Sequence, residues 1–359
     1  MQKKLILHDF HSACGAQFIS NRNWQIPANY GDVNSELRYV RDSAGLLDQS
    51  YLAKMNLNGK DTIDFINRIS TNDMTKLIMN PMCDTIFVTP KGRIVDYCRV
   101  IKRDSAYTVI SSNVDGMYLM DWLNRFLILE DIKIKDVSSQ YIWLLLIGPR
   151  SRVFLGSLTG QPVAPEDEII WINTFDVVIP AFANNHFCAP AYNIWMPADR
   201  SVEILEWLRK RLNAFEGGMI GNTAFQITRI ESGMPDWGTE LTEDYNPHEA
   251  RLLKAVSFTK GCYTGQEVIA RLDAYDKVQK YLMIIEMQDI IDVSAPFDVY
   301  LDDEKIGVLT SFAFDPLENR SVGLGYIKKM YARDDYKLKV EVDVGDRRIA
   351  AVLRLPPVL

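Results

Sequence analysis

The 359-residue chain has no apolar segment long enough to span a bilayer. Its longest run, Ile142-Trp143-Leu144-Leu145-Leu146-Ile147, is strand-sized. The start, Met1 to His8, has two lysines but no signal-peptide core, because His8 and Asp9 interrupt it. Basic residues are in deficit: 40 Lys and Arg face 47 Asp and Glu, a net charge of −7. That excludes a sequence-independent nucleic-acid binder, which needs a basic face to neutralise phosphates. The five cysteines (Cys14, Cys83, Cys98, Cys188, Cys262) form no C-x-x-C pair. A disulfide framework and a self-contained zinc or cluster site are thereby disfavoured, and most of the thiols are expected as small buried hydrophobes. No G-x-G-x-x-G, P-loop or G-x-S-x-G occurs. His248 has no second ligand at metal spacing, and the i, i+3 pair His8/His11 suits a helix surface or core better than a metal. The expectation is a soluble cytoplasmic protein with neither a membrane nor a nucleic-acid partner.

What is present is an ordinary globular balance, 47% hydrophobic and 24% charged, at a length that calls for two or three domains. In residues 1–140, Ile63, Ile66 and Ile69 mark a helix, with Asn58 or Asp61 as its cap. Thr85–Val88 and Ile94–Ile101 flank Thr89-Pro90-Lys91-Gly92 as a hairpin, with a further strand at Tyr107–Ile110. Leu119, Trp122, Leu123 and Phe126 share one helical face. Residues 141–276 carry strand patterns at Ile142–Ile147 and Val177–Ile179 and an amphipathic helix through Ile204, Leu205, Leu208 and Leu212. From residue 277 to 359 six short strands follow one another: Gln279–Met287, Val299–Leu301, Ile306–Phe312, Ser321–Ile327, Tyr336–Val344 and Ile349–Leu353. That spacing fits a small antiparallel barrel or sandwich. The class is α+β.

Three places carry chemistry. Glu231 ends a helix that Gly233 and Pro235 stop, so it sits at the unfavourable end of the dipole and requires compensation. Either an arginine pairs with it at the surface, or its carboxylate accepts two N–H bonds from a guanidine-like ring edge. Asp96 interrupts an apolar strand pattern. It either faces outward or lies at a pocket mouth, where burial would lift its pKa toward proton-transfer range. Lys260-Gly261-Cys262-Tyr263-Thr264-Gly265-Gln266-Glu267 is either a tight turn around a buried Cys or a reactive thiol favoured by Lys260 and Arg271.

This octapeptide resembles the K-G-C-Y-x-G-Q-E signature of YgfZ-type folate-binding proteins. Much of the remaining chain is similar to the superfamily that includes the aminomethyltransferase (T-protein) of the glycine cleavage system. Stretches such as Trp24-Gln25-Ile26-Pro27, Gly92-Arg93-Ile94-Val95-Asp96, Arg229-Ile230-Glu231-Ser232-Gly233 and Gly307-Val308-Leu309-Thr310-Ser311 carry that similarity. The resemblance implies a three-module ring around a central tetrahydrofolate channel, with a C-terminal antiparallel β-barrel. It implies Glu231 as the pterin-binding acid, Asp96 as the catalytic acid and Cys262 as the signature thiol. Lys260, Gln266 and Arg271 complete the expected folate-contacting set. Two functions follow: support of iron–sulfur enzymes, with cluster proteins as partners, or folate-dependent aminomethyl or methyl transfer. Two departures stand out. The family's G-Y-T-G-E-D-G-F-E loop reads Phe187-Cys188-Ala189-Pro190-Ala191-Tyr192-Asn193-Ile194-Trp195, and its Tyr-Ser reads Cys83-Asp84.

Overall fold

The computed structural model describes residues 2–78, 81–103, 106–165, 167–289, 295–333 and 337–357. The apolar patterns above become three packed β-units and a small N-terminal sheet. Strands Met82–Val88 and Ile94–Arg103 pair antiparallel about the turn at Thr89–Gly92, as the hairpin pattern requires. They join Ala106–Ser111, Lys54–Asn58 and Lys133–Asp136 in a five-stranded sheet. Helices Thr62–Ile69 and Gly116–Asn124 bury Phe65, Ile66, Ile69, Leu119 and Trp122 against it. Phe126 lies beyond its helix but packs on the same core. Asp61 stands at the N-cap of the first helix without a side-chain cap bond. Its carboxylate instead accepts from the Asp131 N–H, which ties the helix start to the loop before Lys133.

The second sheet runs Ile169–Thr174, Val177–Ala183, Ala191–Pro197, Tyr141–Ile147, Gly45–Asp48, Gly218–Met219. Chain order and sheet membership part here. Gly45–Asp48 comes from residues 1–140, yet it pairs antiparallel with Tyr141–Ile147 and parallel with Gly218–Met219. Helices Ser151–Thr159 and Ser201–Ala214 cover one face through Phe154, Leu155, Ile204, Leu205, Leu208 and Leu212.

The six C-terminal strands close into an antiparallel barrel: Lys280–Met287, Phe297–Leu301, Glu304–Asp315, Arg320–Lys328, Lys339–Asp343 and Arg348–Arg354. Of the expected strand Tyr336–Val344, Lys339–Asp343 is observed, and Tyr336 lies outside the described residues. Closure leaves the barrel without an edge strand. The helix Asn222–Glu231 sits where the units meet. Ile227 and Ile230 share a core with Ile86, Leu145 and barrel residue Leu324. Arg229, almost wholly buried, donates to Glu240 at 3.2 Å and to Ser311 at 3.0 Å. Glu240 in turn accepts from Thr310, Ser311, Thr239 and the Asp236 N–H, so barrel and helix share one buried ion pair.

No described helix is long and apolar enough to cross a membrane. The expectation that most cysteines are buried is corrected. Only Cys83 and Cys98 are; Cys14 is half-buried, while Cys188 and Cys262 are exposed on loops.

Candidate functional site

A cleft lies between the five-stranded sheet, the six-stranded sheet and the segment from Phe225 to Asp236. Its two lobes meet at Tyr97, Ser112, His186, Met234 and Pro235. One lobe has aromatic walls (Tyr51, Trp143, Phe225) and amides (Gln49, Gln226). The other reaches Arg251 and Lys254.

Strand alternation decides which side chains enter. On Ile94–Arg103, Tyr97 and Arg99 line the cleft while Asp96 faces the other way, because successive strand residues point to opposite faces. The register shifts between Phe87 and Val88, so that Val88 opposes Ile94 and Phe87 opposes Asp96, which leaves Val95 as the extra residue. Asp96 is fully buried. Its carboxylate accepts from the Ser111 hydroxyl, the Ser112 hydroxyl at 2.6 Å and the Ser112 N–H at 3.1 Å. Burial pushes its pKa up to about 6, although the serine hydrogen bonds pull in the other direction.

At the cleft centre four groups converge that the sequence reading did not assemble. Arg99 donates from Nε and Nη2 to the two oxygens of Asp84, at 2.7 and 3.0 Å, and from Nη1 to Asn193 Oδ1 at 2.5 Å. His186 Nε2 lies 2.7 Å from Asp84 Oδ2 and 2.7 Å from the Tyr97 hydroxyl. Burial alone would raise the Asp84 pKa. The Arg99 charge and the hydrogen bonds from His186 and Arg99 outweigh it and hold the carboxyl well below the usual range. Burial, with Asp84 beside it, pushes the Tyr97 hydroxyl well above its ordinary value. His186 comes from the loop between Val177–Ala183 and Ala191–Pro197. The Asn184 side chain accepts from the His186 N–H at 3.2 Å and shapes the turn. The available signal was a histidine in a polar Asn-Asn-His loop between two strands, since loops on a rigid sheet carry chemistry.

The other expected site residues do not line the cleft. Glu231 ends its helix as anticipated and is compensated by two arginines, Arg41 at 3.0 Å and Arg320 at 2.8 Å. This is the arginine-paired alternative, set against the barrel. Lys260 is a structural pin: Nζ donates to the carbonyls of Asn67, Ser70 and Asn72 at 2.5, 2.8 and 2.7 Å, capping the C-terminal end of Thr62–Ile69. All three donor hydrogens are used, which leaves none for a folate. Burial lowers its pKa to about 8. Gly265 has φ +79°, and a Cβ there would meet the Thr89 carbonyl oxygen at 2.7 Å. That close approach explains the glycine before the helix Gln266–Ala274. Gln266 lies in the first turn of this helix and Arg271 on its exposed side. Neither lines the cleft, and Cys262 is exposed on the preceding turn. The octapeptide thus straps the helix end to the hairpin turn at Thr89–Gly92. Its thiol and Asp96 do not share a channel.

His11 is buried, with Nε2 2.8 Å from Asp48 and Nδ1 2.8 Å from the Tyr30 hydroxyl, and His248 donates to the Ile269 carbonyl at 3.0 Å. Both are structural. Among the described residues no group of three or more His, Cys, Asp or Glu could hold a metal.

Known proteins give the same architecture a family. The GCVT N-terminal domain matches residues 7–260, and the glycine cleavage T-protein C-terminal barrel domain matches residues 280–358. The chain is 25% identical to an aminomethyltransferase of Caldanaerobacter subterraneus over 98% of its length and 94% of the relative's. With an aminomethyltransferase of Staphylococcus carnosus it shares 28% identity over 96% of its length and 94% of the relative's. The crystal structure of the glycine cleavage system aminomethyltransferase T from Bartonella henselae superposes with a TM-score of 0.83. That superposition covers 100% of this chain and 98% of the other at 20% identity, and so it bears on the fold. The α+β core, the closed barrel and the two matched domains together place this chain in the glycine cleavage T-protein family.

Proposed function

We propose that this protein binds tetrahydrofolate in the cleft and transfers a one-carbon group between a small donor and the folate. Family membership supports the reading, since aminomethyltransferases of this family use tetrahydrofolate. The observation that carries it is the two-lobed cleft itself, whose flat aromatic walls and amide groups suit a planar, hydrogen-bonding ring such as a pterin. Tyr51, Trp143 and Phe225 would sandwich the ring, and the side chains of Gln49 and Gln226 would meet its edge. Arg251 and Lys254, on the wall of the second lobe, suit an anionic glutamyl tail. Bound there, the folate would supply the nitrogens that accept or release the one-carbon unit. The chain's own residues orient it, exclude water and handle protons.

The reading is tested by titrating the protein with tetrahydrofolate. Mass spectrometry then follows methyl- or methylene-tetrahydrofolate formed from aminomethyl thiols, N-methyl amines, methyl thioethers and aryl methyl ethers. Binding without any product would reduce the reading to a folate scaffold, and absence of binding would end it.

A second reading, support of iron–sulfur enzymes in the manner of YgfZ-type proteins, rests on the octapeptide and on Cys262 being an exposed thiol. One thiol cannot hold a cluster alone, so a cluster protein would have to supply the other ligands. Normal cluster-enzyme activities in a Cys262→Ala strain would count against it.

A further inference from the structure

We infer that His186, held by Asp84, is the group that carries protons in the cleft, the role the family resemblance points to in Asp96. The inference rests on the folate reading above and deepens it. Four observations lead to it.

Asp96 is fully buried and faces away from the cleft, with both carboxylate oxygens taken by Ser111 and Ser112. His186, in contrast, lines both lobes, and its side chain is 21% exposed. Its Nε2 lies 2.7 Å from Asp84 Oδ2, and Arg99 binds both oxygens of that carboxylate and so fixes its plane. Nε2–H donating to Asp84 selects the tautomer whose Nδ1 carries a lone pair. No described residue hydrogen-bonds Nδ1. A carboxylate behind one imidazole nitrogen, with the other nitrogen open to a cavity, is the arrangement that lets histidine take up and return a proton.

One-carbon transfer needs such a group. Each carbon–nitrogen bond formed at a folate nitrogen displaces one N–H proton. Each donor nitrogen, oxygen or sulfur that leaves with its bonding electron pair takes one proton up. His186 takes the first proton at Nδ1 and returns it to the leaving atom, while Asp84 stays ionised and stabilises the imidazolium between the two events. No oxidant or reductant enters. Asp84 and Tyr97 from the five-stranded sheet contact the imidazole, and Arg99 backs Asp84. Arg251 and Lys254 line the second lobe with His186.

The test begins with binding, which needs no knowledge of the donor. Tetrahydrofolate is titrated by calorimetry from pH 5 to 8 in buffers of different ionisation enthalpy. A neutral Nδ1 that accepts from a folate N–H makes binding expel a proton in acid, so wild-type affinity falls as pH drops. His186→Gln loses the proton release on binding. With an S-aminomethyl thiol as donor it loses roughly 10²–10⁴ in kcat. Proton release that persists in His186→Gln overturns the inference and leaves the folate reading intact. Wild-type protein that does not bind at all removes the reading beneath it. If His186→Gln does not fold, ¹⁵N NMR of the wild-type imidazole decides: an Nδ1 resonance unmoved by tetrahydrofolate overturns the inference.

Discussion

Replacing Asp96 by Asn tests the orientation of the strand on which the site depends. The wild-type carboxyl is fully buried and its pKa is raised from 3.8 to about 6, with burial as the largest cause. Between those two values the folded protein holds a proton that the unfolded chain has released. Stability must therefore fall as pH rises through the window, and it does so in full only above about pH 6. The loss amounts to about 3 kcal/mol, because each pKa step is worth about 1.36 kcal/mol. Asn cannot titrate, so Asp96→Asn shows no such loss. Its absolute stability at pH 7 reflects two opposed changes: relief of a buried charge, and weaker bonds to Ser111 and Ser112. The pH dependence of the difference is free of both. Urea unfolding of the two proteins at pH 4, 5, 6 and 7 should show the stability of Asp96→Asn relative to wild type rising by about 2.4 kcal/mol, most of the full loss, across the series. A constant difference, or one that grows toward acid, would refute the burial argument. Tetrahydrofolate affinity of Asp96→Asn should stay close to wild type.

Three further outcomes follow from the same contacts. Lys260→Met leaves three carbonyls at the helix end without their charged donor, and should cost about 2–4 kcal/mol in urea unfolding. Tetrahydrofolate affinity of that variant should not change. Arg229→Met strands the buried Glu240 carboxylate and should destabilise by about 3–5 kcal/mol. Thermal unfolding should show it, and Arg229→Met combined with Glu240→Gln should recover part of the loss. Glu231→Ala removes the anion shared by Arg41 and Arg320. These groups are about a quarter exposed and solvent-screened, so it should cost only about 1 kcal/mol and leave folate titrations unchanged. A tenfold weaker affinity there would return Glu231 to the binding site.

Local pattern determined much of this protein. All six barrel strands, the hairpin around Thr89–Gly92, the helix that Gly233 stops and the amphipathic helix Ser201–Ala214 were legible, because periodicity and turn residues act over a few positions. The shorter motifs pointed to the T-protein superfamily, which the two matched domains bear out. Which side chains meet in the cleft was decided by tertiary structure alone. A one-residue bulge opposite Phe87–Val88 sets which face of Ile94–Arg103 looks inward, so Tyr97 and not Asp96 reaches the cavity. A motif reports that residues are near in sequence. It does not report that Lys260 spends its charge on three backbone carbonyls 188 to 193 positions earlier, or that Asp84 and His186 meet across 102 positions. Those encounters depend on the docking of one sheet against another, which no local window contains.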